Sequence, residues 1–277
     1  MVHAARSLRH RAPLLVAAAG FFALSGVVQA HAGTIGFRVD SEVDTGSGLS
    51  VKITATHTGN EAAIDVAPEV EFLDARQSGE PVARFQPNEN HVWQMRLRDK
   101  PLVPGAYVVV VRLRYSDTNG YPFEVTSVAP ATPAAKAGPR VTGKFALPQI
   151  AAGGDAAGVL ELKRPQGRSG NFEGMLVSPR GLRMEQQRFP IEFDAEGNAT
   201  IDISMENEKL LAGTTVNVFA LVTNDQFGFH QTDTVRGTVR VVEAQSNVST
   251  RSFYLAAAAV AALLVVLELI GLRRRRP

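Results

Sequence analysis

Residues 82–99 read VARFQPNENHVWQMRLRD and residues 190–207 read PIEFDAEGNATIDISMEN. Laid on each other at an offset of 108 they need no gap. Phe85 meets Phe193, Asn90 meets Asn198, Trp93 meets Ile201, Met95 meets Ile203 and Leu97 meets Met205. The register continues through LVPGAYVVVVRL onto LLAGTTVNVFAL, so Leu102 falls on Leu210 and Gly105 on Gly213. Val108, Val110 and Leu113 then fall on Val216, Val218 and Leu221, whereas upstream of residue 80 the match fades. A repeat of this length predicts a duplicated domain.

Inside each copy the apolar period is two. Trp93, Met95 and Leu97 alternate with Gln94 and Arg96, and Ile201, Ile203 and Met205 alternate with Asp202 and Ser204. Alternation puts one set on a buried sheet face and the other in water. VKITATHTG, the run Tyr107 to Val111, and TVRVVEA from Thr238 add further β-rich segments. Turn signals (TGSG, TGN, QSGE, VPG, DTNG, AEGN, LAG) separate them at short intervals. Short strands spaced this way predict a two-sheet sandwich for each copy. VAPATPAAKAGPR, residues 128–140, breaks the alternation and reads as a semi-extended linker.

The two ends carry a different message. Arg6, Arg9 and Arg11 precede LLVAAAGFFALSGVV, and small residues follow at two cleavage points, after Ala30 and after Ala32. This is the pattern of a cleaved export signal. At the other end FYLAAAAVAALLVVLELIGL, residues 253–272, has one charge, Glu268. Twenty such residues at about 1.5 Å each span roughly the 30 Å of a bilayer core. Arg273, Arg274, Arg275 and Arg276 follow and place the C-terminus in the cytoplasm by the positive-inside rule. The expected location is therefore the cytoplasmic membrane of a bacterium, with the bulk of the chain on the periplasmic or extracellular side.

The formal charge of +2 is an end effect. Without the seven terminal arginines and Glu268 the chain holds 22 basic and 26 acidic residues, about −4. That gives no support for nucleic-acid binding. There is no cysteine, which excludes thiol catalysis, Fe–S clusters and disulfide staples.

TATHTGNEAAIDVAPEVEF, followed by LVPGAY and a long Val-rich strand, resembles the CARDB or NEW3 type of immunoglobulin-like module. Thr58, Gly59 and Asn60 match its strand-ending turn, and Leu102 to Tyr107 match its L-x-P-G-x-Y corner. The second copy departs from the motif, with Thr215 where Tyr107 stands. The resemblance implies modules that display, space or bind, without a catalytic centre. The expected fold class is all-β: two tandem immunoglobulin-like β-sandwich domains plus one C-terminal transmembrane helix. The expected boundaries are 1–32 for the signal peptide, 33–127 and 141–244 for the sandwiches around the 128–140 linker, 245–252 for a juxtamembrane stretch, 253–272 for the span and 273–277 for the tail.

Candidate sites are few. YSDTNGYPF and, 108 residues on, TNDQFGFHQ share an Asp-x-x-Gly-aromatic pattern: Asp117 and Gly120 in one, Asp225 and Gly228 in the other. A calcium loop needs roughly six to eight oxygen ligands. DTNG offers only Asp117 and Asn119, so both segments are expected to be the same late hairpin turn, with glycine supplying a positive φ. His31 becomes an N-terminus if the signal is cut after Ala30, and could then bind copper with His57, His91 or His230. Asp65, Glu69, Glu71 and Asp74 are expected as unpaired surface carboxylates. GxSxG, HExxH, Walker A and dinucleotide motifs are missing.

Glu268 is costly within a span. It either snorkels toward Arg273 or contacts a membrane partner. Ala257 with Ala261, and Ala258 with Ala262, allow close helix packing. The apolar helix plus RRRR also resembles bacterial surface-sorting tails, but AQSNVSTRS before it lacks their recognition element. No enzyme activity and no cofactor are expected. The expected partners are the membrane and a protein or cell-envelope polysaccharide. The expected role is an accessory, scaffolding or binding module of an extracytoplasmic assembly. The alternatives are copper handling through His31 and an adhesin processed at a sorting signal.

Overall fold

The structure, a computed structural model, describes residues 34–46, 48–73, 75–98, 104–132, 140–226 and 228–244, together with 258, 259 and 263. Among the described residues before 245 every regular element is a β-strand. The first half holds β1 (Phe37–Asp44), β2 (Leu49–His57), β3 (Ala63–Phe72), β4 (Ala75–Ser78), β5 (Val82–Phe85), β6 (Asn90–Arg98), β7 (Gly105–Ser116) and β8 (Pro122–Ala131). The second half holds β9 (Thr142–Ala146), β10 (Ile150–Ala151), β11 (Asp155–Lys163), β12 (Phe172–Val177), β13 (Leu182–Met184) and β14 (Arg188–Ile191). It continues with β15 (Asn198–Asn207), β16 (Thr215–Gln226) and β17 (Phe229–Val242).

Three sheets result. One runs β1-β2-β6, one runs β13-β15-β11-β9, and a third of ten strands follows the path β14-β12-β16-β17-β7-β3-β4. β8 pairs with β7 over its whole length, from Tyr107↔Ala131 to Ser116↔Pro122. The duplication read from residue 82 onward is visible in the topology: β6 with β15, β7 with β16 and β8 with β17 occupy matching places. β4 and β13 do not match. β4 pairs with β3 in the large sheet, whereas β13 pairs with β15 in the small one.

Two separate cores follow from period-two alternation. Leu49, Val51, Ile53 and Ala55 of β2 point at Val109, Val111, Leu113 and Tyr115 of β7, with Phe85 and Trp93 between. Leu160, Leu162, Ile203 and Met205 face Val216, Val218, Ala220 and Val222 in the second. Each fully buried Val or Leu contributes about 1.5–3 kcal/mol, so both halves are stabilised by packing alone, as a chain without cysteine requires.

Alternation fails where it matters most. Val110 of β7 and Phe219 and Leu221 of β16 point away from the two cores, yet are buried. They form a third apolar cluster with Val177. A strand covered on both faces reads as a continuous apolar run, and YVVVV at 107–111 and VFALV at 218–222 are such runs. The proposed linker also needs correction at its start. Val128 to Ala131 lie in β8, and Ala129 and Ala131 are buried because they complete the sheet beside β7.

No helix among the described residues is long and apolar enough to cross a membrane. The expected span, Glu268 and the four terminal arginines lie outside the described residues, apart from Ala258, Ala259 and Leu263, which are helical and exposed. The signal segment and His31 also lie outside them.

Candidate functional site

The third apolar cluster marks the place where the halves meet, and polar groups surround it. At one corner β17 pairs in parallel with β7, His230 opposite Gly105 and Gln231 opposite Ala106. The His230 amide donates to the Pro104 carbonyl at 3.3 Å. β8 stops at Ala131 opposite Tyr107, so β17 takes the last two residues of the same edge. The imidazole of His230 stacks on Tyr107, with 4.2 Å between centroids and 14° between planes.

His230 is held from its own hairpin as well. Its Nδ1 lies 2.7 Å from Asp225 Oδ1 and its Nε2 lies 2.9 Å from Thr232 Oγ1. Thr232 in turn meets Thr223 at 3.2 Å. Carboxylate, imidazole and hydroxyl in that order form the connectivity of a hydroxyl-nucleophile relay. Here all four residues belong to β16 and β17, Asp225 opposite His230 and Thr223 opposite Thr232. The chain of bonds acts as a cross-strand polar ladder.

The other flank of the junction is charged. Glu124 of β8 accepts from Arg114 Nε at 3.1 Å and from Thr126 Oγ1 at 3.2 Å, and lies 3.6 Å from Arg112 Nε. Glu69 pairs with Arg114 at 2.7 Å, and Glu71 pairs with Arg112 at 2.5 Å and with Arg76 at 3.3 Å. Glu69 and Glu71 are therefore paired and largely buried, contrary to the expectation of free surface carboxylates. The cause is that β3 and β7 are neighbours and the second half lies over their outer face. Asp65 has a positive φ of 52° and Asp74 lies outside the described residues.

The second half closes this flank with backbone. The Arg180 amide donates to Glu124 Oε1 at 3.2 Å, and the Tyr121 hydroxyl donates to the Lys209 carbonyl. Two clefts remain beside the junction. One of about 230 Å³ lies among Leu73, Val108, Val110, Met175, Leu221 and His230. The other, of about 210 Å³, lies among the arginines and glutamates of the charged ladder.

The two Asp-x-x-Gly segments differ. Asp117 Oδ1 accepts the amides of Asn119 at 2.9 Å and Tyr121 at 2.8 Å, and Gly120 closes the turn at φ +82°. Asp225 lies within β16 and opposes His230 rather than Phe229. Only Gly228, at φ +74°, keeps its place in the turn. The turn that repeats the first is Asp194 to Asn198, where the Asn198 amide donates to Asp194 Oδ1 at 2.7 Å and Gly197 has φ +81°. Those backbone donors hold the Asp194 carboxyl below its ordinary value.

The histidines named as copper partners are otherwise engaged. His57 is buried, with Nδ1 accepting from the Gly59 amide at 3.0 Å and its ring among Phe37 and Phe85. His91 lies edge-on to Trp93 at 4.4 Å. Among the described residues no group of three His, Cys, Asp or Glu could hold a metal ion. One buried constellation escaped sequence reasoning. Arg168 donates to Asp233 at 2.8 Å and to Asn224 at 3.1 Å, and Asp233 also accepts the Val141 amide at 2.8 Å. It ties the entry of the second half to β16 and β17. Because its members lie 56 and 65 residues apart, no local motif announces it.

No protein-family model matches the chain, and no curated protein matches it. Among solved structures, red sea bream transglutaminase aligns with 75% of this chain and 32% of its own, at 11% identity and TM-score 0.26. The native conformation of the E. coli α-2-macroglobulin aligns with 75% of this chain and 17% of its own, at 10% identity and TM-score 0.33. A Porphyromonas gingivalis protein of unknown function aligns over 75% and 99%, at 10% identity and TM-score 0.29. The chain thus spans about a third or less of the first two.

Proposed function

We propose that the chain is a non-enzymatic envelope protein, exported and held in the cytoplasmic membrane by residues 253–272. It presents two immunoglobulin-like β-sandwich modules of CARDB or NEW3 type as one accessory, scaffolding or binding unit. The observation that supports this reading is the junction. Strand pairing, an apolar cluster and hydrogen bonds from the Arg180 amide to Glu124 and from the Tyr121 hydroxyl to the Lys209 carbonyl join the two halves. Such a joint keeps loops and sheet edges of both modules at set relative positions, which suits display of a binding surface to a protein or envelope polysaccharide. Glu268 snorkels toward Arg273 or contacts a membrane partner, and Arg273, Arg274, Arg275 and Arg276 orient the anchor.

The test is crosslinking and affinity capture from native membranes, with intact-mass analysis of the purified chain. The expected result is a chain starting at residue 31 or 33, ending at Pro277, resistant to alkaline washing and captured with a reproducible partner. A soluble chain lacking the C-terminal helix would overturn the anchor in favour of a sorted adhesin. A bound copper ion lost with residue His31 would overturn the non-metal reading.

A further inference from the structure

We propose that Asn198 is a glycosylation acceptor, taking an oligosaccharide from a polyprenyl-pyrophosphate-linked donor on the outer side of the membrane. Residues 196–200 read EGNAT. Asn198 and Thr200 form the Asn-x-Ser/Thr triplet that N-glycosylation requires, with Ala199 rather than proline between them. Glu196 adds the acidic residue two positions before the asparagine that bacterial transferases of this class read. The chain's other triplet, Asn247 to Ser249, has Gln245 at that position and lies outside the described residues.

The fold places the triplet where a transferase can reach it. Asn198 and Thr200 are exposed on one face of β15, and Ala199 points into the core between them. The Asn198 carbonyl accepts from the Asp194 amide at 2.8 Å, which turns its backbone away from β11. Bonding direction alternates along a strand, so the Thr200 backbone also faces outward. On the same outer side the Ser204 carbonyl accepts from the Glu185 amide at 3.1 Å. Between those two bonds no strand pairs with the outer edge of β15 among the described residues. Within the triplet only Ala199 bonds to β11, so a small local opening frees it. Asn198 Nδ2 lies 3.4 Å from Asp194 Oδ2. A glycosylated amide keeps one N–H, so that contact survives the modification.

In the transfer, Asn198 Nδ2 bonds to the anomeric carbon of the first sugar as the bond from that carbon to the pyrophosphate oxygen breaks. One amide proton passes to a base of the transferase, and the polyprenyl pyrophosphate leaves. Nothing is oxidised or reduced. The glycan then stands over the unpaired edge of β15 and hinders pairing with another chain there.

This inference rests on the export reading, since the donor is used outside the cytoplasm. The experiment is mass analysis of the full chain, purified from native membranes and digested with trypsin. Its readouts are the first residue of the chain and the peptide of residues 189–209. That peptide is expected to be heavier by at least one sugar residue, with fragmentation placing the added mass on Asn198. Asn198→Gln and Thr200→Ala should both lose it, whereas Thr200→Ser should keep it. Thr200 is exposed, so its replacement leaves the cores intact. An unmodified 189–209 peptide in a chain that has lost its signal segment would overturn the acceptor and leave export standing. The same added mass in Thr200→Ala, or its attachment at Ser204, would also overturn it. A chain that still begins at Met1 would overturn both.

Discussion

Gly105 lies against the backbone of His230 so closely that a Cβ at this position would collide with the His230 carbonyl oxygen. The glycine is required by approach, since its neighbour across the junction is backbone that cannot swing aside. Its offset partner, Gly213, has open space around it and a positive φ of 87°. One aligned glycine therefore serves two different physical needs.

Gly105→Ala is expected to cost about 1–3 kcal/mol through overpacking, and to do so at the junction. Urea unfolding followed by tryptophan fluorescence (Trp93, first half) and by far-UV circular dichroism should separate into two transitions in the variant. Coincident transitions at an unchanged midpoint would contradict it.

His57 sets a pH dependence in the first half. Burial lowers its pKa below the ordinary 6.5, and its Nε2 has no polar partner. The folded state thus favours the neutral ring, and the unfolded state takes the proton first as pH falls. Stability is complete above about pH 6.5 and declines below it toward the depressed folded value, at no more than about 1.4 kcal/mol per pH unit. Denaturation midpoints of His57→Phe should decline less steeply between pH 7 and 5 than those of the native chain.

Arg168 and Asp233 are both buried and paired. Replacing Arg168 by Leu leaves a buried carboxylate uncompensated, a loss of about 3–5 kcal/mol. The second half should unfold early in Arg168→Leu, seen as exchange of the Val218 and Val239 amides at lower denaturant, while those of Val51 and Val109 stay protected.

Tyr115 packs against Phe37 and Phe123, and burial raises its hydroxyl to about 12. A raised folded pKa means stability that is full below the unfolded value of about 10 and is lost as pH rises toward 12. Ultraviolet titration should show one tyrosine ionising late, absent in Tyr115→Phe.

Legibility followed the range of the interactions. Trp93, Met95 and Leu97 announced β6 because strand alternation is a property of neighbours two residues apart. Asp117 and Gly120 announced their turn because both its donors and its positive φ lie within five residues. The same four-residue spacing misled at Asp225, whose carboxylate is taken by His230 so that the hairpin re-registers by one residue. Asp194, just before the turn signal AEGN, reproduces the first turn with Gly197 instead. The charged ladder of Glu69, Glu71, Arg112, Arg114 and Glu124 was invisible because strand order, not spacing, puts β3 and β8 on either side of β7. The unbroken apolar runs 107–111 and 218–222 are the sequence trace of strands covered on both faces.

By itself the sequence determined that the chain is built of alternating strands, that the segment from residue 82 onward is duplicated, and that packing alone must hold it, because period, offset and composition are local or countable properties. Only the tertiary structure decided that the two halves share one ten-stranded sheet. That choice rests on Gly105, Tyr107, His230, Val110 and Phe219 meeting across more than a hundred residues. Such contacts depend on how whole sheets twist and stack, and no neighbouring residue records them.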